Sequence, residues 1–275
     1  MTNNIKDIDA IILCGGLGKR LRPIISDKQK VLINIGNKAF IDILIDNLLL
    51  YGFKDIILCV GYKKEQVIDH FKNNSNYQNC NIMFSEENKP LGTGGALKNA
   101  ISLIKSNHFI VMNGDSISNI NFREFFEYHK NKNALLSMAI VKSKTVQDYG
   151  SVTLDNISRI TSFNEKINLD QKILDKEFLT KDKGLDKEFL INAGIYLMRK
   201  DIFSYMSEKN NFSLEYELFP NIVNKKCYGF VIDQFIDIGT PDRYEKASKS
   251  LGDILTIDID IIKNLEKRAV NRHWN

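Results

Sequence analysis

Proline, cysteine and histidine are all scarce in this chain. Four prolines in 275 residues leave no proline-rich linker between domains. The four cysteines (Cys14, Cys59, Cys80, Cys227) are scattered, with no Cys-x-x-Cys pair and no histidine at ligand spacing. That removes a disulfide framework and a zinc site, and points to a reducing compartment, the cytoplasm. Cys14 and Cys59 stand in apolar runs and read as small buried hydrophobes. The histidines (His70, His108, His129, His273) fall in no motif with a serine, cysteine or aspartate partner, so no nucleophile–base pair is read from them. No apolar run approaches the roughly 18 residues of a membrane span, and the opening Met1-Thr2-Asn3-Asn4-Ile5-Lys6-Asp7 lacks the apolar core of a signal peptide. A surplus of one charge is missing too. Lys+Arg number 38 against 34 Asp+Glu, and the resulting +4 is too weak to argue for nucleic acid or an anionic membrane. What is present is ordinary for a chain with a sizeable core: 43% hydrophobic and 26% charged residues.

In the first half, short apolar runs alternate with helical periodicity. Residues 9–14, 56–60, 81–84 and 109–112 read as strands. Residues 40–51 place Ile41, Leu44, Ile45, Leu48 and Leu49 at helical spacing, and Gly52 ends the helix. Further helices are expected at 65–71 and 94–104. Fully apolar strands separated by helices predict a doubly wound α/β fold with a Rossmann-like, mostly parallel sheet covered on both faces. Ligands then bind along the edge where the strands end. In the second half, 134–141, 150–154, 157–163, 191–198 and 229–237 read as strands, with helices near Asp201 and Leu214. No composition shift marks a boundary, so residues 1–275 read as one domain whose later strands extend or cap the first sheet. The hexapeptide at 174–179 recurs at 185–190, which suggests a surface insertion around 168–189. The stretch after Tyr244 reads as a short helical tail.

The loop after the first strand, Leu13-Cys14-Gly15-Gly16-Leu17-Gly18-Lys19-Arg20, sets glycines beside two cations, as an anion-binding turn would. Its spacing fits neither familiar alternative. A dinucleotide fingerprint begun at Gly16 would need its third glycine at Leu21, and a P-loop ending at Gly18-Lys19 would need its first glycine at Leu13 and a hydroxyl at Arg20. A second glycine-rich stretch, Pro90-Leu91-Gly92-Thr93-Gly94-Gly95, opens a helix. Asn113-Gly114-Asp115, Phe163-Asn164-Glu165-Lys166, Ile191-Asn192-Ala193-Gly194 and Ile236-Asp237-Ile238-Gly239-Thr240-Pro241 each end or interrupt a strand.

With these motifs in this order, residues 8–244 resemble the sugar-1-phosphate nucleotidyltransferases. The resemblance implies the nucleotide-diphospho-sugar transferase type of fold and a Mg²⁺-dependent reaction in which NTP and sugar 1-phosphate give NDP-sugar and pyrophosphate. It assigns Leu13, Gly15, Gly16, Gly18, Lys19, Gly92, Thr93, Gly94 and Gly114 to the nucleotide, with Arg20 on the departing phosphates and Lys30 at the reacting centre. Gly150, Glu165, Lys166 and Asn192 fall to the sugar phosphate, and Asp115 and Asp237 to the metal. Gln29 and Val31 stand where the family usually has prolines beside the lysine, and Lys19 where it usually has Thr or Ser. Loop 13–16, loop 90–95 and stretch 211–220 most resemble the bacterial D-glycero-α-D-manno-heptose 1-phosphate guanylyltransferases, which implies GTP. Cytidylyl-, uridylyl- and thymidylyltransferases share most of these motifs, and a non-catalytic relative that binds a nucleotide sugar is the alternative of another class. The family also implies a homodimer.

Overall fold

The structure, a computed structural model, describes residues 4–25, 27–72, 74–78, 80–145, 149–165 and 188–249. The chain opens with β1 (Asp9–Leu13), a small hairpin of β2 (Asn34–Ile35) and β3 (Lys38–Ala39), α1 (Phe40–Tyr51), β4 (Asp55–Val60) and α2 (Lys64–Lys72). Then come β5 (Asn81–Glu86), α3 (Gly92–Asn99), β6 (His108–Asn113), β7 (Ser116–Ser118) and α4 (Phe122–Asn131). The strands β8 (Leu136–Ser143), β9 (Ser151–Leu154), β10 (Ile160–Asn164), β11 (Phe189–Arg199), β12 (Cys227–Ile232) and β13 (Phe235–Asp237) follow.

The first half forms the expected parallel block, β6-β1-β4-β5, with crossover helices between its strands. The second half extends it antiparallel. β11 lies along β6, with Ile195 opposite Met112, and β8 pairs with the other edge of β11. β12 is parallel to β8, while β9 and β10 attach beside the first residues of β11. Successive side chains of a strand face opposite ways, so the apolar runs feed two cores. Ala10, Ile12, Ile56, Leu58, Ile110 and Met112 pack under α1, α2 and α4, whereas Ile11, Ile57, Cys59, Phe109 and Val111 pack under α3 and segments 200–205 and 214–222. Gly52 ends α1 at φ +90, its N–H reaching back to Leu49 O at 2.9 Å.

Four elements differ from expectation. The helix expected over 94–104 is α3, beginning two residues earlier and ending at Asn99. The strand expected over 229–237 is two strands in different sheets. The backbone turns at Asp233-Gln234, where Gln234 N donates to Asn119 Oδ1 at 3.1 Å, so that β13 can pair with β7. The helices near Asp201 and Leu214 are a 3-10 segment and a π-turn. In addition, α4 has no counterpart among the expected elements, although its buried Phe122, Phe125, Phe126 and His129 repeat at helical spacing. The insertion around 168–189 lies outside the described residues apart from its last two, and so does the tail beyond 249. No helix among the described residues is long and apolar enough to cross a membrane.

Candidate active site at the strand ends

Parallel pairing brings Leu13, Val60 and Asn113 to one edge of the sheet, so the loops that follow them share that edge. Two cavities open there. The larger, about 540 Å³, takes Leu13, Gly15, Gly16, Lys30, Gly92, Thr93, Gly114 and Asp115 in its walls. The smaller, about 150 Å³, is lined by Arg20, Gly150, Glu165, Asn192, Asp237 and again Asp115. They meet at Asn113 and Asp115.

Several glycines are required by close approach. A Cβ on Gly114 would lie 2.8 Å from Leu13 O, and one on Gly15 2.7 Å from Glu87 Oε1. Gly18, at φ +57, starts the 3-10 turn Lys19–Leu21 and packs against the Lys30 side chain, but it lines neither cavity. Lys19 is exposed and also lines neither. Gly94 is a packing residue: a Cβ there would meet the Phe212 ring at 2.2 Å. Thr93 joins the two chambers. Its hydroxyl donates to Glu215 Oε2 at 2.5 Å, and Glu215 lines the smaller cavity.

At the junction Lys30, 11% exposed, bonds Asp115 Oδ2 at 2.5 Å. Asp237 sits beside this pair because β13 runs antiparallel to β7, with Asp237 opposite Ser116 and Ile238 N donating to Asp115 O at 2.9 Å. Asp237 accepts from Gly239 N at 2.7 Å, from Arg243 Nη1 and from the Tyr149 hydroxyl. The position of a Cβ on Gly239 falls 3.3 Å from Arg20 Nη2 and 3.7 Å from Lys30 Nζ, so both cations converge on the two aspartates. Asn113 Oδ1, at the same junction, is buried with no hydrogen-bond partner among the described residues. Two carboxylates and an orphaned amide oxygen make a hard oxygen donor set. It fits Mg²⁺ completed by substrate oxygens, and among the described residues no third His, Cys, Asp or Glu joins to make a site for a softer metal.

Asn192 makes local bonds within the smaller cavity wall. Its Nδ2 donates to the Tyr196 hydroxyl at 2.7 Å, and its Oδ1 accepts from Gly194 N at 2.9 Å. Gly150 and Glu165 touch: a Cβ on Gly150 would lie 2.6 Å from Glu165 Oε2. Lys166 lies outside the described residues.

The structure adds residues to which the sequence motifs assigned no role. Glu87 lines the larger cavity and accepts from Leu91 N at 3.0 Å; burial raises its carboxyl above the usual range, and the Leu91 bond opposes that. Gln29, 1% exposed, donates from Nε2 to Cys14 O at 2.5 Å while its Oε1 accepts from Val31 N at 2.7 Å. Tyr149, Glu215 and Arg243 line the smaller cavity. A signal for Glu87 existed, since it stands just before a glycine loop, but nothing in the sequence says which of Glu86 and Glu87 turns inward.

Comparison with known proteins identifies the family. A D-glycero-α-D-manno-heptose 1-phosphate guanylyltransferase from Aneurinibacillus thermoaerophilus is 37% identical over 246 residues, 89% of this chain and 98% of that protein. The enzyme of the same description from Campylobacter jejuni is 35% identical over 238 residues, 86% of this chain and 97% of its own length. Among solved structures, HddC from Yersinia pseudotuberculosis complexed with GMP-PN superposes with a TM-score of 0.72 at 32% identity, covering 89% of this chain and 99% of that one. Residues 9–253 match the family described as nucleotidyl transferase, and the chain belongs to that family.

Proposed function

We propose that this chain transfers GMP from GTP to a sugar 1-phosphate, D-glycero-α-D-manno-heptose 1-phosphate, releasing pyrophosphate. The observation that carries the reading is the meeting of a large and a small cavity at Asp115, as two separately bound phosphorylated substrates require. The choice of guanine and heptose comes from the activity named for the relatives. Glu87 favours guanine as well, because N1–H and the 2-amino group of guanine present two adjacent donors to one carboxylate.

In this reading the nucleotide lies in the larger cavity against Leu13, Gly15, Gly16, Gly92 and Thr93, with Gly114 at its floor. Arg20 and Lys30 take the phosphates at the junction. Gly150, Glu165, Lys166 and Asn192 hold the sugar phosphate in the smaller one. The phosphate oxygen of the sugar 1-phosphate attacks the α-phosphorus of GTP, a new P–O bond forms, and the bond to the β-phosphate oxygen breaks. That nucleophile is already ionised at pH 7, since a phosphate monoester loses its second proton near pH 6, so the protein supplies no general base. Its work is to hold two polyanions in line and cancel their repulsion. Asp115 and Asp237 would hold Mg²⁺, which when bound supplies further positive charge to the phosphate oxygens. Lys30 leaves Asp115 only a short way to reach those oxygens, because the two are already in contact.

The test is a matrix of GTP, CTP, UTP and dTTP against heptose, mannose and glucose 1-phosphates, with pyrophosphate followed. GTP with heptose 1-phosphate is expected to turn over fastest. A faster pyrimidine triphosphate would overturn the base, and a faster hexose phosphate would overturn the sugar.

A further inference from the structure

The smaller cavity contains a cation for which the glycine loops and the reaction scheme have no use. Arg243 stands in the first turn of helical segment 241–249 and lines the cavity together with Arg20. Its Nη1 lies 3.2 Å from Asp237 Oδ2 and 3.3 Å from Oδ1. Its guanidinium carbon lies 4.7 Å from the centroid of the Tyr149 ring. Tyr149 in turn hydrogen-bonds the same Asp237 through its hydroxyl and meets the Phe235 ring edge-on at 5.5 Å. Guanidinium, phenol and carboxylate therefore brace one another. The Arg243 side chain keeps 23% of its surface exposed, and Asp237 only 9%.

Charge makes this geometry informative. Asp115, Glu165, Glu215 and Asp237 all line the smaller cavity, and the cations lining it among the described residues are Arg20 and Arg243. A phosphate dianion entering beside four carboxylates is repelled unless cations at the wall answer it. A planar guanidinium carries five N–H donors in a fork that matches phosphate oxygens, and stacking on a ring fixes the plane of that fork beforehand. An arginine in a simple rim ion pair needs no such bracing.

We propose that Arg243 binds the phosphate group of the sugar 1-phosphate, its contact with Asp237 holding the guanidinium in place while the cavity is empty. This rests on the reading that the smaller cavity takes the sugar phosphate. Arg243 is then a substrate-binding residue that no motif of the sequence marks, set on the segment just after the second aspartate. The same handover frees Asp237 for its part at the junction.

Steady-state kinetics of Arg243→Ala and Arg243→Lys, with Glu165→Gln beside them, test the proposal. Arg243→Ala is expected to raise KM for the sugar 1-phosphate about 10- to 100-fold, the loss of a charge-assisted bond, while KM for GTP stays within about 2-fold. Arg243→Lys is expected to recover part of that loss, because it keeps the charge and not the fork. If Arg243 serves only Asp237, Arg243→Ala shifts the Mg²⁺ concentration for half-maximal rate and leaves the sugar-phosphate KM alone, which overturns the proposal. If Glu165→Gln raises the sugar-phosphate KM and Arg243→Ala does not, Arg243 is not a phosphate ligand but the cavity is rightly assigned. If neither variant moves it, the assignment of the cavity falls, and this proposal with it. Should Arg243→Ala melt far below the wild type, Arg243→Gln and Arg243→Lys provide the same comparison.

Discussion

In the guanine reading Glu87 faces the base with one carboxyl, and its surroundings explain how. A side chain at position 15 would displace Glu87, whose Oε1 stands 2.7 Å from where it would begin while Leu91 N anchors the other oxygen at 3.0 Å. Burial has partly stripped the group of water, so it gains more from a ligand's donors than an exposed carboxylate would. Replacing it by Gln keeps the shape and one acceptor but turns a second acceptor into a donor that faces guanine's donors. Glu87→Gln is expected to lower kcat/KM for GTP about 10- to 100-fold, the worth of hydrogen bonds to a charged group, and to lower UTP turnover far less. The ratio of the two kcat/KM values checks it. An equal loss with every NTP would mean that Glu87 only supports the loop. The glycines of loops 13–20 and 90–95 were legible in the sequence as loop residues. Their separate duties were not: Gly15 makes room for Glu87, Gly94 for the Phe212 ring, and Gly95 for Asn210 O, which a Cβ would meet at 2.1 Å. Those partners lie far along the chain, where local pattern carries no information.

Between elements, Gln29 does what a proline beside the lysine would otherwise do by stiffness. Its Oε1 caps the 3-10 turn Lys30–Leu32 at Val31 N, and its Nε2 holds Cys14 O at the end of β1. Its own N–H donates to Gln66 Oε1 on α2 at 2.7 Å, and Gln66 Nε2 returns to Asp27 O at 2.8 Å. One buried amide thus ties the glycine loop, the lysine turn and α2 together, and sets where Lys30 begins its reach to Asp115. Gln29→Ala leaves Val31 N and Cys14 O without these bonds, at about 1–3 kcal/mol for buried polar groups. In a chain of this size that is a melting temperature lower by about 2–12 °C. KM for GTP is expected to rise along with it, because the loop and the lysine lose their common tether. A melt lowered as predicted with GTP kinetics untouched would show that the tether serves stability alone. The family resemblance points to Lys30, but the sequence presents Gln29 only as a departure from that family's proline pattern. Its side-chain bond to Cys14 O reaches 15 positions back and its N–H reaches a helix 37 positions on.

Over the whole molecule, the parallel half was legible because each buried strand is a continuous apolar run closed by a turn. The second half was less so: β11 is a mixed run serving three neighbours, and the ribbon of β7 and β13 pairs segments more than a hundred residues apart. The joint between the halves also contains a titrating group. His129 of α4 is fully buried, with Nδ1 2.9 Å from Ser137 Oγ on β8 and Nε2 3.2 Å from His108 Nδ1 on β6. Burial first, then the charges of His108 and Arg199, push its pKa down to about 3. His108 is lowered too, by burial and by Arg199 and Lys130, against the pull of Asp201. His129 is therefore neutral in the folded chain and takes a proton near pH 6.5 in the unfolded one. The unfolded state binds more protons in between, so the stability is complete above about pH 6.5 and falls as pH drops toward 3, by about 1.4 kcal/mol per unit for one such group. Urea unfolding at pH 7.5 and pH 5 reads this directly. From His129 alone the wild type is expected to lose about 2 kcal/mol between those values, and His129→Gln, with no proton to take up there, to lose correspondingly less. Equal losses in the two proteins would place the acid sensitivity elsewhere and leave His129 as a hydrogen-bonding strut between α4 and the sheet.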